Sequence, residues 1–261
     1  MNRMEEDIKR VKTGIHGLDG KIKGGFEKGS LVEIAGSEGT YKSTFALQYA
    51  IEGVRNGESV TYLSLEEPKE SFEKIARNMG WEAEFSHIDF KNIDINELID
   101  KTTSWDDCTK GAEAIAKMVM QNVDCPSRLV FDTATTLALY SSRTGLKELP
   151  HQHWMFVQPS PGDIRVMMYY LANECRKKAD TTVLFLAETG EGDLYMPEEV
   201  LKYICDTKIE LKKSMLGTDA PRTIQIHKMR HTNHPLDEMP LNLNENGLEV
   251  LQEKYSLEQH A

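Results

Sequence analysis

Residues 36–43 read Gly-Ser-Glu-Gly-Thr-Tyr-Lys-Ser, between an apolar run from Leu31 to Ala35 and a helical pattern that ends near Gly57. A lysine beside a hydroxyl, after a glycine-containing turn and at a helix start, suits phosphate binding. Lys42 would neutralise β- and γ-phosphate charge, Ser43 would ligate Mg²⁺, and unpaired N–H groups of the first turn would cradle oxyanions. Both residues fit the pattern GxxxxGK[ST], but its second glycine is replaced by Tyr41. A side chain at that position opposes the backbone geometry and close phosphate approach that glycine allows. A strand, a turn and a helix with a surface lysine are the plainer alternative.

Three carboxylates suit the same chemistry. Asp132 ends the apolar strand LVFD, where an acid would hold the Mg²⁺ shell. It also precedes TATTLALY, so it can cap a helix, and the two readings stand together. Glu66 and Glu67 leave the strand SVTYLSL side by side. Successive side chains point oppositely, so one of the pair faces a water beside a terminal phosphate as general base, while paired glutamates before Pro68 also suit a solvated helix entry. The cations lie far along the chain in HKMRHTNH, which alone reads equally as a basic strand end. His227, His231 and His234 lack cysteine or carboxylate partners at zinc spacing.

Positioning these residues requires strands and helices in alternation. Strand, helix, strand from Leu31 to Leu65, a helix after Pro68, a helix over GAEAIAKMVMQN before RLVFD, and one from Asp163 to Lys178 before TTVLFLAE call for a mainly parallel sheet flanked by helices. From Thr207 the closely spaced runs KIELKK, RTIQIHKMR and LNLNENGLEVL predict an antiparallel C-terminal extension of that sheet. Residues 143–162, with Pro150, Pro159 and Pro161, read as a long loop. No low-complexity linker divides the chain, and one α/β domain over 1–261 is the expectation.

The 261 residues are 39% hydrophobic and 28% charged, a globular balance. A formal charge of −11 opposes a broad grip on nucleic acid. Neither a signal peptide nor a membrane-length apolar run is present, and Cys108, Cys125, Cys175 and Cys205 are too dispersed for a metal motif or disulfide scaffold. The expectation is a cytoplasmic protein with reduced thiols.

The segments TGIHGLDGKIKGGFEKGSLVEIAG, YLSLEEP, IARNMGW, RLVFDTATTL and IHKMRHTNH occur in the order and spacing of one domain of the KaiC-like branch of the RecA/RadA ATPases, which the chain resembles from Lys12 to Leu251. The resemblance implies a RecA-like P-loop fold, ATP and Mg²⁺ as ligands, and a hexameric ring with nucleotide between neighbours. It would place Gly39, Thr40, Tyr41, Lys42, Ser43 and Thr44 around the phosphates, with Ser43 and Asp132 at the metal. Glu66 would be the catalytic glutamate and Glu67 its companion. Lys228 and Arg230 match the KxR pair aimed at a neighbour's γ-phosphate, and Thr232 and His234 match further contacts across the interface. The segment 143–162 is an insertion relative to a compact domain of this kind.

Three functions compete. A slow ATPase whose nucleotide state controls ring assembly or partner binding is favoured by Lys42, Glu66, Asp132, Lys228 and Arg230. A catalytically weak or inactive nucleotide-binding scaffold is favoured by Tyr41. A RadA-like DNA-repair accessory role is opposed by the acidic loop TGEGDLYMPEE, where a DNA-facing loop should be basic.

Overall fold

The computed structural model describes residues 8–93, 117, 120–121, 123–136, 161–178, 180–191, 196–213 and 221–251. A short antiparallel pair, β1 (Arg10–Val11) and β2 (Phe26–Glu27), precedes the main sheet. The main sheet contains β3 (Leu31–Gly36), β4 (Val60–Ser64), β5 (Asp89–Asn92), β6 (Arg128–Asp132), β7 (Thr182–Glu188), β8 (Thr207–Lys213), β9 (Arg222–Met229), β10 (Met239–Asn244) and β11 (Gly247–Val250). Their spatial order is β11-β10-β9-β8-β3-β7-β6-β4-β5. Strands from β8 to β5 in that order run parallel, whereas β9, β10 and β11 are antiparallel. The expected parallel core and its antiparallel extension are therefore both present.

Every residue of β3, β4 and β6 is buried, as strands covered on both faces require. Alternate side chains feed separate cores. Val32, Ile34, Leu184 and Leu186 pack with α1 (Lys42–Arg55), α2 (Lys69–Asn78) and α3 (Glu82–Phe85). Leu31, Val183, Phe185 and Phe131 pack with α4 (Pro161–Arg176) and α5 (Met196–Ile204). Helix α4 begins at Pro161, two residues before the expected Asp163 and inside the segment read as a loop. Proline is favoured at a first helical position, where no N–H is needed. Most of GAEAIAKMVMQN, all of 143–160, and Cys108 lie outside the described residues.

Fully buried Arg128 fastens the start of β6 to the first helical layer. It donates to both Glu58 carboxylate oxygens at 2.6 and 3.0 Å, and to the Lys12 and Tyr49 carbonyls at 2.8 Å each. Its guanidinium also lies 4.4 Å from the Tyr49 ring centroid.

Candidate phosphate and metal site

The end of β3 and the start of α1 form a tight turn. A Cβ added to Gly36 would fall 2.5 Å from the Leu211 carbonyl oxygen and 2.6 Å from Thr40 Oγ1, so this position needs glycine. Thr40 is buried, and its hydroxyl donates to the Ser37 carbonyl at 2.8 Å. Gly39 and Tyr41 flank it with φ of 75° and 74°.

The expectation that Tyr41 resists the glycine geometry is corrected here, because its backbone is left-handed all the same. Such a conformation costs an L-residue roughly 1–2 kcal/mol. The ring lies under a cation, with the Arg222 guanidinium 4.0 Å from its centroid. Arg222 Nε also donates to the Gly39 carbonyl at 3.1 Å.

Lys42 opens α1 with its side chain 8% exposed. Nζ donates to the Ser37 carbonyl at 3.0 Å and lies 3.9 Å from Glu188 Oε1 at the end of β7. Burial lowers its pKa, and the negative charges of Glu188, Asp132, Glu66 and Glu38 oppose that shift. Ser43 and Thr44 follow in the first turn, both half-buried.

Asp132 ends β6 next to β4. Its Oδ2 accepts from the Tyr62 hydroxyl at 2.6 Å, and the Ser43 side chain is also hydrogen-bonded to it. Burial pushes its pKa up to about 6, against the lowering effect of those two hydrogen bonds. The Asp132–Thr133 peptide is cis. A hydroxyl and a buried carboxylate in contact are the hard oxygen donors that Mg²⁺ takes, and a cation would relieve the cost of burying the charge. These residues fit Mg²⁺.

Strand β4 ends at Ser64, so Glu66 and Glu67 lie in the bend that follows it and the alternation expected of a strand exit does not apply to them. Glu66 points towards β6, where the Thr133 hydroxyl donates to its Oε1 at 3.2 Å and the Thr136 hydroxyl donates to the same oxygen. The Glu67 side chain is exposed, and its main-chain carbonyl accepts from Ser64 and Asn92. Lys42, Ser43, Asp132 and Glu66 thus converge at the carboxyl edge of the parallel strands, where ligands bind in open α/β sheets.

Lys228, Arg230 and Thr232 lie at the other end of the sheet, and His234 follows in the loop that leads back towards Gln225. Arg230 N–H bonds to the Asp206 carbonyl, and Asp206 N–H bonds to the carbonyl of Leu31, the first residue of β3. Lys228 Nζ donates to the Lys202 carbonyl at 2.9 Å, while Arg230 reaches Asp206 Oδ1 at 3.0 Å and the Tyr203 carbonyl at 3.4 Å. These carbonyls end α5, where unpaired C=O groups and the helix dipole favour cations. Burial lowers the Lys228 pKa, and the charge of Arg230 reinforces the shift. Arg10 donates to Thr232 Oγ1 at 2.7 Å, and His234 Nδ1 lies 3.0 Å from the Pro235 carbonyl oxygen.

Several site residues were absent from the sequence reading. Glu188 carried a signal, since it is the polar exit of TTVLFLAE. Tyr62 was the one phenol inside a strand run, whereas Thr133, Thr136 and Arg222 had no local signature.

A parallel sheet with a phosphate loop after β3 and an acidic residue ending β6 defines a RecA-like P-loop nucleotide-binding fold. The chain belongs to the KaiC family of ATPases, whose model, described as ATPase: KaiC, matches residues 11–149 and 155–255. A UPF0273 protein of Thermotoga maritima is 25% identical over 254 residues, covering 93% of this chain and 96% of that protein. The circadian clock protein KaiC3 of Synechocystis is 25% identical over 251 residues, 94% of this chain but 46% of that longer protein. A crystal structure of a KaiC-like protein from Pyrococcus horikoshii superposes with a TM-score of 0.67 at 24% identity, covering 94% of this chain and all of that one. Among the described residues, no helix is long and apolar enough to cross a membrane.

Proposed function

We propose that this chain is one KaiC-type domain that binds ATP with Mg²⁺ and hydrolyses it slowly, its nucleotide state controlling ring assembly or partner binding. The observation that carries the reading is the convergence of Lys42, Ser43, Asp132 and Glu66 on one sheet edge. Lys42 leaves the Ser37 carbonyl for a phosphate oxygen, and the N–H groups from Gly39 to Thr44 accommodate the remaining negative charge. Bound through Ser43 and Asp132, Mg²⁺ supplies charge neutralisation of the phosphates. Glu66 accepts a water proton at Oε2 while Thr133 and Thr136 hold Oε1. Lys228 and Arg230 act on the nucleotide of a neighbouring subunit in a hexamer, with Thr232 and His234 beside them, since their own phosphate loop is at the opposite sheet end.

Calorimetry with ATP and Mg²⁺ tests the reading. Wild type binds, and Lys42→Ala abolishes binding because it removes the buried ammonium at the head of α1. Absence of wild-type affinity for ATP and ADP at millimolar concentration refutes the proposal.

A further inference from the structure

We propose that Arg222 is a positioning residue for the phosphate loop, holding a tyrosine-containing turn in the shape that glycine would otherwise give it. The inference rests on the reading of residues 36–43 as a phosphate cradle. Three observations meet at this residue. Tyr41 is left-handed, with φ 74° and ψ 27°. Its ring lies 4.0 Å under the Arg222 guanidinium. The same guanidinium group donates through Nε to Gly39, the other left-handed residue of the turn, at 3.1 Å.

A left-handed glycine keeps its conformation at no steric cost, whereas a left-handed tyrosine tends to leave it unless its surroundings hold the ring. Arg222 does so from the first residue of β9, a strand anchored by its ladder to β8. The hydrogen bond adds direction. A trans peptide is planar, so its C=O and N–H point oppositely, and fixing the Gly39 carbonyl towards Arg222 fixes the Thr40 N–H away from it. That N–H is one of the donors a phosphate oxygen would meet. The loop is thereby set before any ligand arrives.

Lysine cannot replace this arginine, since only the planar guanidinium stacks on a ring while a separate N–H donates in its plane. Lys213, the register partner of Arg222, supplies a second positive charge near the turn: its Nζ lies 3.5 Å from where a Gly39 Cβ would stand. Charge alone is therefore not the distinguishing property of Arg222.

Two measurements on the full chain test this. The first is Mg²⁺–ADP affinity by calorimetry for wild type, Arg222→Ala, Arg222→Lys, Tyr41→Gly and the double variant Tyr41→Gly/Arg222→Ala. Loss of a stacked cation and its hydrogen bond weakens binding about five- to thirty-fold in the tyrosine background. In the glycine background the arginine holds no ring, and its loss costs less than about three-fold, the rest of the effect being the coupling between the two residues. Equal losses in both backgrounds overturn the proposal.

The second is amide exchange in the nucleotide-free protein. Arg222→Ala and Arg222→Lys accelerate exchange at residues 37–42 while β3 and β7 keep wild-type protection; unchanged exchange at 37–42 overturns the proposal, and loss of protection throughout the sheet in both variants, which would make Arg222 a fold-stabilising residue, does the same. Failure of wild type to bind Mg²⁺–ADP at millimolar concentration instead refutes the cradle reading itself, while the exchange result still decides whether Arg222 sets the turn.

Discussion

Glu33 occupies the middle of β3, fully buried, with neither carboxyl oxygen hydrogen-bonded among the described residues. Its register partner on β8, Lys208, is ion-paired with Glu198 of α5. Burial pushes the Glu33 pKa from 4.5 up to about 8, opposed first by Lys208, then reinforced by Glu198 and opposed by Lys228 and Lys202. The folded state therefore keeps a proton that the unfolded chain releases. Stability falls as pH rises through the window between 4.5 and 8, at about 1.4 kcal/mol per pH unit, and levels off outside it. Glu33→Gln is neutral at every pH and removes that dependence. Urea unfolding without nucleotide, at one fixed protein concentration, should find the variant gaining on wild type by roughly 3–4 kcal/mol between pH 5 and pH 8. A difference that stays constant over this range refutes the reasoning, because it means that Glu33 is already ionised at pH 5 and that Lys208 serves it as well as Glu198.

Arg128→Ala should destabilise the fold by about 3–5 kcal/mol in urea unfolding, because it leaves Glu58 and two carbonyls without their shared donor; Arg128→Lys should recover less than half, since one ammonium cannot reach all three. Tyr62→Phe keeps the ring stack on Phe90, centroids 5.3 Å apart, but strips Asp132 of a donor, and a loss of about 1–3 kcal/mol is expected by the same measurement. Glu66→Gln and Arg230→Ala should each abolish ATP turnover, and mixing the two should restore part of it in a phosphate-release assay. Mixed assemblies that stay inactive refute action of Arg230 between subunits.

The central parallel strands were legible because full burial leaves apolar runs such as LVFD and TVLFLAE, and the phosphate loop was legible because its residues are consecutive. The edge strand β5, DFKN, is exposed or half-buried throughout and leaves no such run, and the short β1–β2 pair leaves none either. What escaped was pairing at a distance. Tyr41 read as an obstruction because local sterics are visible in a sequence while the guanidinium that covers the ring comes from β9. Thr133 and Thr136 follow Asp132 closely, yet their role depends on Glu66, delivered by the adjacent strand β4. Helix α4 starts two residues before Asp163 because Pro161, which a sequence offers first as a loop residue, also fits a helix's first position.

Strand β9 explains why the cations of HKMRHTNH cannot serve the chain's own phosphate loop. Its first residue, Arg222, touches Gly39 and Tyr41, and the strand then runs antiparallel to β8 towards the other end of the sheet. Arg230 is level with Leu31, and the six steps from there to Ser37 cover about 20 Å at roughly 3.3 Å per residue. An arginine side chain does not bridge that distance, and this one already rests on Asp206 and the end of α5. Two roles are therefore open to Arg230: cap of its own helix, or contact with a nucleotide held by another copy. The second requires different patches of identical chains to meet head to tail, an arrangement that closes as a ring or continues as a filament. In either, one rigid strand would join the loop that Arg222 shapes in its own subunit to the phosphate that Arg230 meets in the next.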